Sequence, residues 1–341
     1  MREFQYTPVY LERLGRGDLR RRAAQARARM TRCDLCPYVC HANRNRGPGV
    51  CGIAAKARLI SFIPHFGELP ALAGWRGSGA VFLEGQPLVF RSTTELPRPG
   101  VPTAAGRDAQ APARETGREM EPDELARILL ELQGLGCHNI NLLFPTFVVA
   151  QILEALALAV EGGLRLPLIY NTQGYDSFEA LRMLEGVVDV FATDMLVGYA
   201  RDARRYLKLS DYPRVNRLAV REMHRQVGDL LLSSEGLALR GLLVRHWVLP
   251  NRVAGTTRVA GFLSHEISPD TFLYLLDDYR PAKGIKKGGT LGRAPMPDEM
   301  DLARRAALAA GLRRVVPGPL ATLRLAGTGG PEGQGGPSEN P

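Results

Sequence analysis

Six short apolar runs recur between residues 80 and 276, and this alternation with helix-length stretches constrains the fold more than any other feature. The runs are AVFLE (80–84), HNINLL (138–143), LPLIYN (166–171), VDVFAT (188–193), LLVRHWVL (242–249) and TFLYLL (271–276). Among the stretches between them are PDELARILLELQG (122–134), with apolar residues three and four apart, and VVAQILEALALAVEG (148–162). Strands that are apolar on both sides belong in a parallel sheet covered by helices. Six such βα units make an incomplete or narrow barrel. At 341 residues the chain is long enough for one large α/β domain with appendages.

Composition adds little to the fold but excludes some functions. Hydrophobic residues make up 45% and charged residues 23%, as in ordinary soluble proteins. No apolar run approaches the ~18 residues of a membrane helix. MREFQYTPVYLERLGRGDLRRR lacks the apolar centre of a signal peptide, so a cytoplasmic protein with no membrane partner is expected. Net charge is +9, much of it in RRRAAQARARMTR (20–32). Such a run either meets nucleic acid or an acidic partner or forms a solvated helix. With no interleaved aromatics and no nucleic-acid module, the solvated helix is the better reading.

The chain divides into a basic helical arm (1–30), a cysteine-rich, loop-rich segment (31–76), the βα body (77–312) and a Gly/Pro-rich tail (313–341) expected to be disordered. Within the body, 86–115 is rich in Pro, Ala, Gly and Arg and follows no period. Cys33, Cys36, Cys40 and Cys51 use four of the five cysteines within nineteen residues, spaced C-x2-C-x3-C-x10-C. Four thiolates can close a tetrahedral zinc site or hold an iron–sulfur cluster, and spacing alone does not separate the two. Pro37, Gly47, Pro48 and Gly49 help the chain turn back on itself. Cys137 opens a strand and reads as a small buried apolar residue.

Several blocks, in order, resemble one family. They are CDLCPYVCHANRNRGPGVCG, HFGELPALAGWRGSGAVFLEG, GCHNINLLFPTF, QILEALALAVEGGLRLPLIYNTQGYDSFEALRMLEGVVDVF, RQVGDLLLSSEGLALRGLLVRHWVLPN and SPDTFLYLLDDYRPA. The chain resembles the radical SAM proteins related to pyruvate formate-lyase activating enzyme, from about Cys33 to Ala282 with an interruption at 86–115. The resemblance implies a partial (β/α)6 radical-SAM-type barrel with an N-terminal cysteine-rich extension. It also implies a C-x3-C-x2-C loop after the first strand, holding a [4Fe–4S] cluster whose fourth iron binds S-adenosylmethionine. Reductive cleavage of that cofactor gives a 5′-deoxyadenosyl radical, which in the activating enzymes acts on a protein substrate.

This chain departs from that pattern where the cluster belongs. Gln86, Phe90 and Thr93 stand at the three ligand positions, and none is a thiolate. Leu196 replaces the family lysine two positions beyond Asp194, and Phe147 stands where a histidine is usual. Loss of the whole window from Gln86 to Glu115, with family-like sequence resuming at Gly117, is also the pattern left by paired compensating frameshifts in GC-rich DNA. Resequencing the coding DNA decides between true loss and a shifted frame.

The other candidates lie on strands and their ends. His65 and Glu68 precede the first strand and either line the rim or pack a loop. Asn139 and Asn141 alternate with apolar residues, so one or both face a barrel interior. Asn171, Thr172 and Asp194 end strands at the edge where barrel enzymes place their sites. Arg245 and His246 sit in an apolar strand, where charge demands a partner or a polar pocket. Asn141, Asn171, Asp194 and His246 form the expected cofactor-binding set, and Arg280 either binds a carboxylate or pairs with Asp277 or Asp278. Three functions follow: a radical SAM enzyme of activating type, a non-catalytic barrel or scaffold stabilised by a metal on the four N-terminal cysteines, or an electron-transfer protein using the N-terminal cluster alone.

Overall fold

A computed structural model describes residues 6–15, 17–84, 117–281 and 288–318, and shows a mixed α/β protein built on a mostly parallel sheet. Its strands are β1 (Ala57–His65), β2 (Ser78–Leu83), β3 (Arg118–Met120), β4 (Ile140–Leu143), β5 (Leu168–Thr172), β6 (Val190–Asp194), β7 (Leu231–Leu232), β8 (Ala238–Trp247), β9 (Phe272–Leu276) and β10 (Arg314–Pro317). Hydrogen bonding runs in the order β10-β9-β8-β6-β5-β4-β2-β1-β3, with β7 paired to β8. All neighbours from β2 through β10 on that path are parallel, and β1 runs antiparallel to both β2 and β3. The six apolar runs are therefore β2, β4, β5, β6, β8 and β9.

Alternation along each strand sorts side chains to two faces. Val81, Leu142, Tyr170, Phe191, Val244 and Leu273 face a large core with the apolar stripes of the helices Asp18–Arg29, Pro122–Gly134, Val149–Glu161 and Tyr212–Val227. The opposite face holds Ala80, Phe82 and Leu143 at one end, and Ile169, Ala192, Leu243, Trp247 and Tyr274 further along. Local signals set the helix starts: Pro122 occupies the first turn with Asp123 and Glu124, where the helix dipole favours acid, and Ser177 caps Phe178–Met183 through Ala180 N–H.

Two segments read differently from the sequence expectation. The cysteine-rich segment is not loop-rich throughout: its second half contains the nine-residue strand β1, whose mixed burial comes from pairing at the sheet's antiparallel edge. The tail boundary at 313 falls one residue before β10, which pairs with β9. The arginine-rich helix keeps an exposed face, with Arg20 and Arg21 open to solvent, but its arginines are also partnered: Arg20 pairs with Glu161, Arg27 with Glu154, Arg29 with Asp34 and Glu179, and Arg22 donates to the carbonyls of Met183 and Glu185. Its charge fastens the arm to the body. Ahead of it, the carboxylate of Asp189 accepts from Tyr6 OH, Val9 N–H and Leu168 N–H, tying the N-terminal segment to the sheet. Among the described residues no helix is long and apolar enough to cross a membrane.

Candidate functional site

Polar side chains gather on the face of the sheet away from the helices, toward the C-terminal ends of the parallel strands. Glu68, on the loop after β1, is 2% exposed. Its Oε1 accepts from Asn171 Nδ2 at 3.1 Å and Asn141 Nδ2 at 3.5 Å, joining β4 and β5. On the next strands Asp194 and Arg245 lie directly opposite in register and form a buried ion pair, Nε to Oδ1 at 2.7 Å. Arg245 Nη2 also donates to the Thr172 carbonyl at 3.4 Å. Burial holds the Asp194 carboxyl above its usual range against the pull of Arg245, and the nearby Glu68 charge pushes it further up. Tyr274 of β9 is in register with Arg245, and Asp278 follows that strand. Burial raises Asp278 to about 6, with Asp277 and Asp194 adding to the rise.

Many atoms here are buried without a partner among the described residues: Glu68 Oε2, Asn141 Oδ1, Arg245 Nη1, Trp247 Nε1, Tyr274 OH and Asp278 Oδ1. Buried polar atoms are nearly always paired, so these call for partners beyond the described residues. Acceptors and donors occur together, which suits a zwitterion. The backbone supports the arrangement closely. Gly174 has φ +76, and a Cβ there would lie 2.3 Å from the Asp194 carbonyl and 2.2 Å from Asn216 Nδ2. Asn216 donates to the carbonyls of Gly174 and Asp194, fixing the end of β6. Phe144, just past β4, adopts the left-handed conformation (φ 59), rare for a bulky residue and concentrated at functional edges.

The other sequence candidates distribute differently. His246 does not face this site. Its odd-numbered neighbours Arg245 and Trp247 do, while its own ring lies on the helix side with Nδ1 2.5 Å from Met195 O and Nε2 3.0 Å from Thr256 Oγ1. Burial lowers it to about 4, so it is a neutral core histidine. Asn139 is consumed structurally, accepting from Ser78 Oγ at 2.6 Å and donating to Leu72 O at 2.7 Å. Thr172 turns to the helix side, where with Thr146 and Tyr170 it donates to the buried Asp176. His65 is buried with Nε2 unpartnered among the described residues. Arg280 donates to the carbonyls of Asp277 and Tyr279. Cys137 packs in the core. Gln86, Phe90 and Thr93 lie outside the described residues. Sequence reasoning gives Glu68 only a rim or loop-packing role, names Asp278 only as a partner for Arg280, and passes over Tyr274 and Trp247; the alternation from Arg245 and Asp194 outward is the signal that finds those two.

The four cysteines meet in a knot beside the helix Asp18–Arg29. Cys33 N–H donates to Ala42 O and His41 N–H returns to Cys33 O, while Gly49 and Gly52 form the turn that carries Cys51. A Cβ on Gly49 would lie 3.2 Å from Cys40 Sγ and 3.6 Å from Cys51 Sγ. Burial pushes the Cys36 thiol up to about 12, and the other three cysteines add to the shift. Among the described residues no three His, Cys, Asp or Glu side chains form a group able to hold a metal ion. Arg44, 2% exposed, places Nη1 3.9 Å from Cys33 Sγ and spends its remaining donors on the Ile53 and Ala54 carbonyls. Among the described residues no carboxylate pairs with this buried cation.

No protein-family model matches the chain. It is similar to an uncharacterized protein of Methanocaldococcus jannaschii, 24% identical over 276 residues that cover 80% of this chain and 72% of that protein.

Proposed function

We propose that the chain is a partial (β/α)6 barrel of radical SAM type, related to the pyruvate formate-lyase activating enzymes, whose polar face binds S-adenosylmethionine. The barrel reading is supported by the placement of the large helices, whose apolar stripes share a core with one face of the six parallel βα strands. A doubly wound sheet would divide its helices between two faces. One observation carries the ligand reading: Glu68 Oε2, Asn141 Oδ1 and Arg245 Nη1 are buried and unused among the described residues. Glu68 and Asn141 suit an ammonium group, and Arg245 suits a carboxylate. When bound, the cofactor supplies a sulfonium carbon–sulfur bond that one electron can break. The chain's own residues orient the aminocarboxylate end and exclude water from it.

The cluster expected beside that cofactor does not fit this sequence. Gln86, Phe90 and Thr93 offer no sulfur ligand, so no radical step is assigned. A second reading, a scaffold stabilised by an N-terminal metal, draws on Arg44. A buried guanidinium without a carboxylate needs an anion, and four sulfurs deprotonated around Zn or an iron–sulfur cluster carry that charge. The two readings are compatible in one polypeptide.

Anaerobic reconstitution with iron and sulfide tests the proposal. In a variant with Cys33, Cys36, Cys40 and Cys51 replaced by serine, no reduced four-iron electron paramagnetic resonance signal is expected. Neither protein is expected to form 5′-deoxyadenosine, although S-adenosylmethionine binds. A four-iron spectrum perturbed by the cofactor in that variant overturns the statement that no cluster fits beside the site, and failure of the parent to bind S-adenosylmethionine overturns the site itself.

A further inference from the structure

A second cleft, of about 370 Å³, opens on the same edge of the sheet and is lined by Tyr199, Arg201, Arg205, Tyr206, Arg252 and Thr290, with Asp202 and Asn251 between them. Its segments follow the C-terminal ends of β6, β8 and β9. Three guanidinium groups and one carboxylate line it, and Arg201 Nε pairs with Asp202 Oδ2 at 3.4 Å, so the lining keeps a net positive charge. Two of the arginines are laid against aromatic rings: Arg201 is 5.8 Å from the Tyr199 centroid and Arg205 is 5.3 Å from that of Tyr206. Ring contact of this kind fixes the plane of a guanidinium and orients its N–H edge.

Arg252 is held by a different device. Asn251 and Arg252 both take positive φ, 57° and 58°, which costs energy for non-glycine residues. Asn251 stabilises the turn by donating its backbone N–H to Glu299 Oε1 at 2.8 Å and its side-chain amide to Thr290 O at 2.7 Å. Glu299 is in turn gripped by Arg293 at 2.7 Å and 2.9 Å, which with other hydrogen bonds lowers its carboxyl to about 2. The strain is thus locked by a permanently charged anchor, and its product is an exposed arginine at the lip of the cleft.

We infer that this cleft is a binding site for a phosphate-bearing small molecule. Arg252 at the lip leads the recognition, with the Nη edge of Arg201 beside it, and bidentate recognition of phosphate is what the guanidinium fork does best. The volume is that of a small-ligand pocket. None of these residues belongs to the polar face assigned above, so the inference stands apart from that proposal.

Calorimetric titration of the full chain with inorganic pyrophosphate and with ADP tests it. Saturable one-site binding by at least one probe is expected, weakening as salt rises. Arg252→Gln and Arg201→Gln should each weaken it at least tenfold. Both side chains are exposed, so the unfolding midpoint should not move. Glu68→Gln should leave pyrophosphate binding unchanged, which separates this site from the other. The inference fails if neither probe saturates, or if both arginine variants bind like the parent. It also fails if a polyglutamate peptide displaces the probes at lower concentration, because the occupant is then an acidic protein segment.

Discussion

Arg245 and Asp194 show how one residue of register decides a role. Each is buried, and each neutralises the other. Arg245→Leu would leave the Asp194 carboxylate buried alone, and a loss of about 3–5 kcal/mol in urea unfolding is expected. The double variant Asp194→Leu, Arg245→Leu should be more stable than Arg245→Leu by itself. His246, one position on, is lowered by burial to about 4, so the unfolded chain binds the proton more tightly than the folded one. Its contribution is present above the ordinary histidine range near pH 6.5 and is lost as pH falls toward 4, on the order of 3 kcal/mol in all. Asp189 and Asp278, both raised to about 6, act in the opposite sense: folding gains as pH falls from 6 toward 4. His246→Asn removes the opposing histidine contribution, so relative to the parent its stability should fall less, or rise more, between pH 6.5 and 4, read by thermal unfolding across that range. The charged pair is visible in LLVRHWVLP, but which member faces the ligand side is not. That depends on alternation counted from Asp194, which pairs with Arg245 and not with His246.

At the scale of elements, the six parallel strands were legible because each is apolar on both faces, and the helices at 122–134 and 149–161 because their stripes are clean. β1 was not. Its apolar residues follow no steady alternation, since the register shifts between Leu59 and Ser61 and Ile60 packs on the face opposite Ala57, Leu59 and Phe62. The helical character of the N-terminal arm is plain in its residues, but part of its anchoring is hidden in a distant one, Asp189. Asp189→Ala would leave Val9 N–H and Leu168 N–H without their acceptor. A loss of about 1–3 kcal/mol is expected, with limited proteolysis cutting first in the arm. Cleavage at the parental rate would show that the arginine pairs alone hold it.

For the whole molecule, the cysteine knot and the polar face are separate centres, and only the first was plain in the sequence. Cysteine clustering announces itself through spacing, whereas Glu68, Asn141, Asn171 and Arg245 come together only when β4, β5, β6 and β8 pair in order. If the knot holds metal, elemental analysis should find it bound to the parent, and Cys51→Ser should lower both metal content and unfolding midpoint. Arg44→Leu should weaken metal retention as well, because it removes the buried counter-charge.

The polar face is the centre on which the proposed function rests, and equilibrium dialysis with labelled S-adenosylmethionine addresses it most directly. Saturable binding to the parent chain is expected, falling at least tenfold in Glu68→Gln with unchanged thermal unfolding. No binding to the parent, or equal binding to both proteins, would contradict the assignment of Glu68 and its neighbours as a cofactor site.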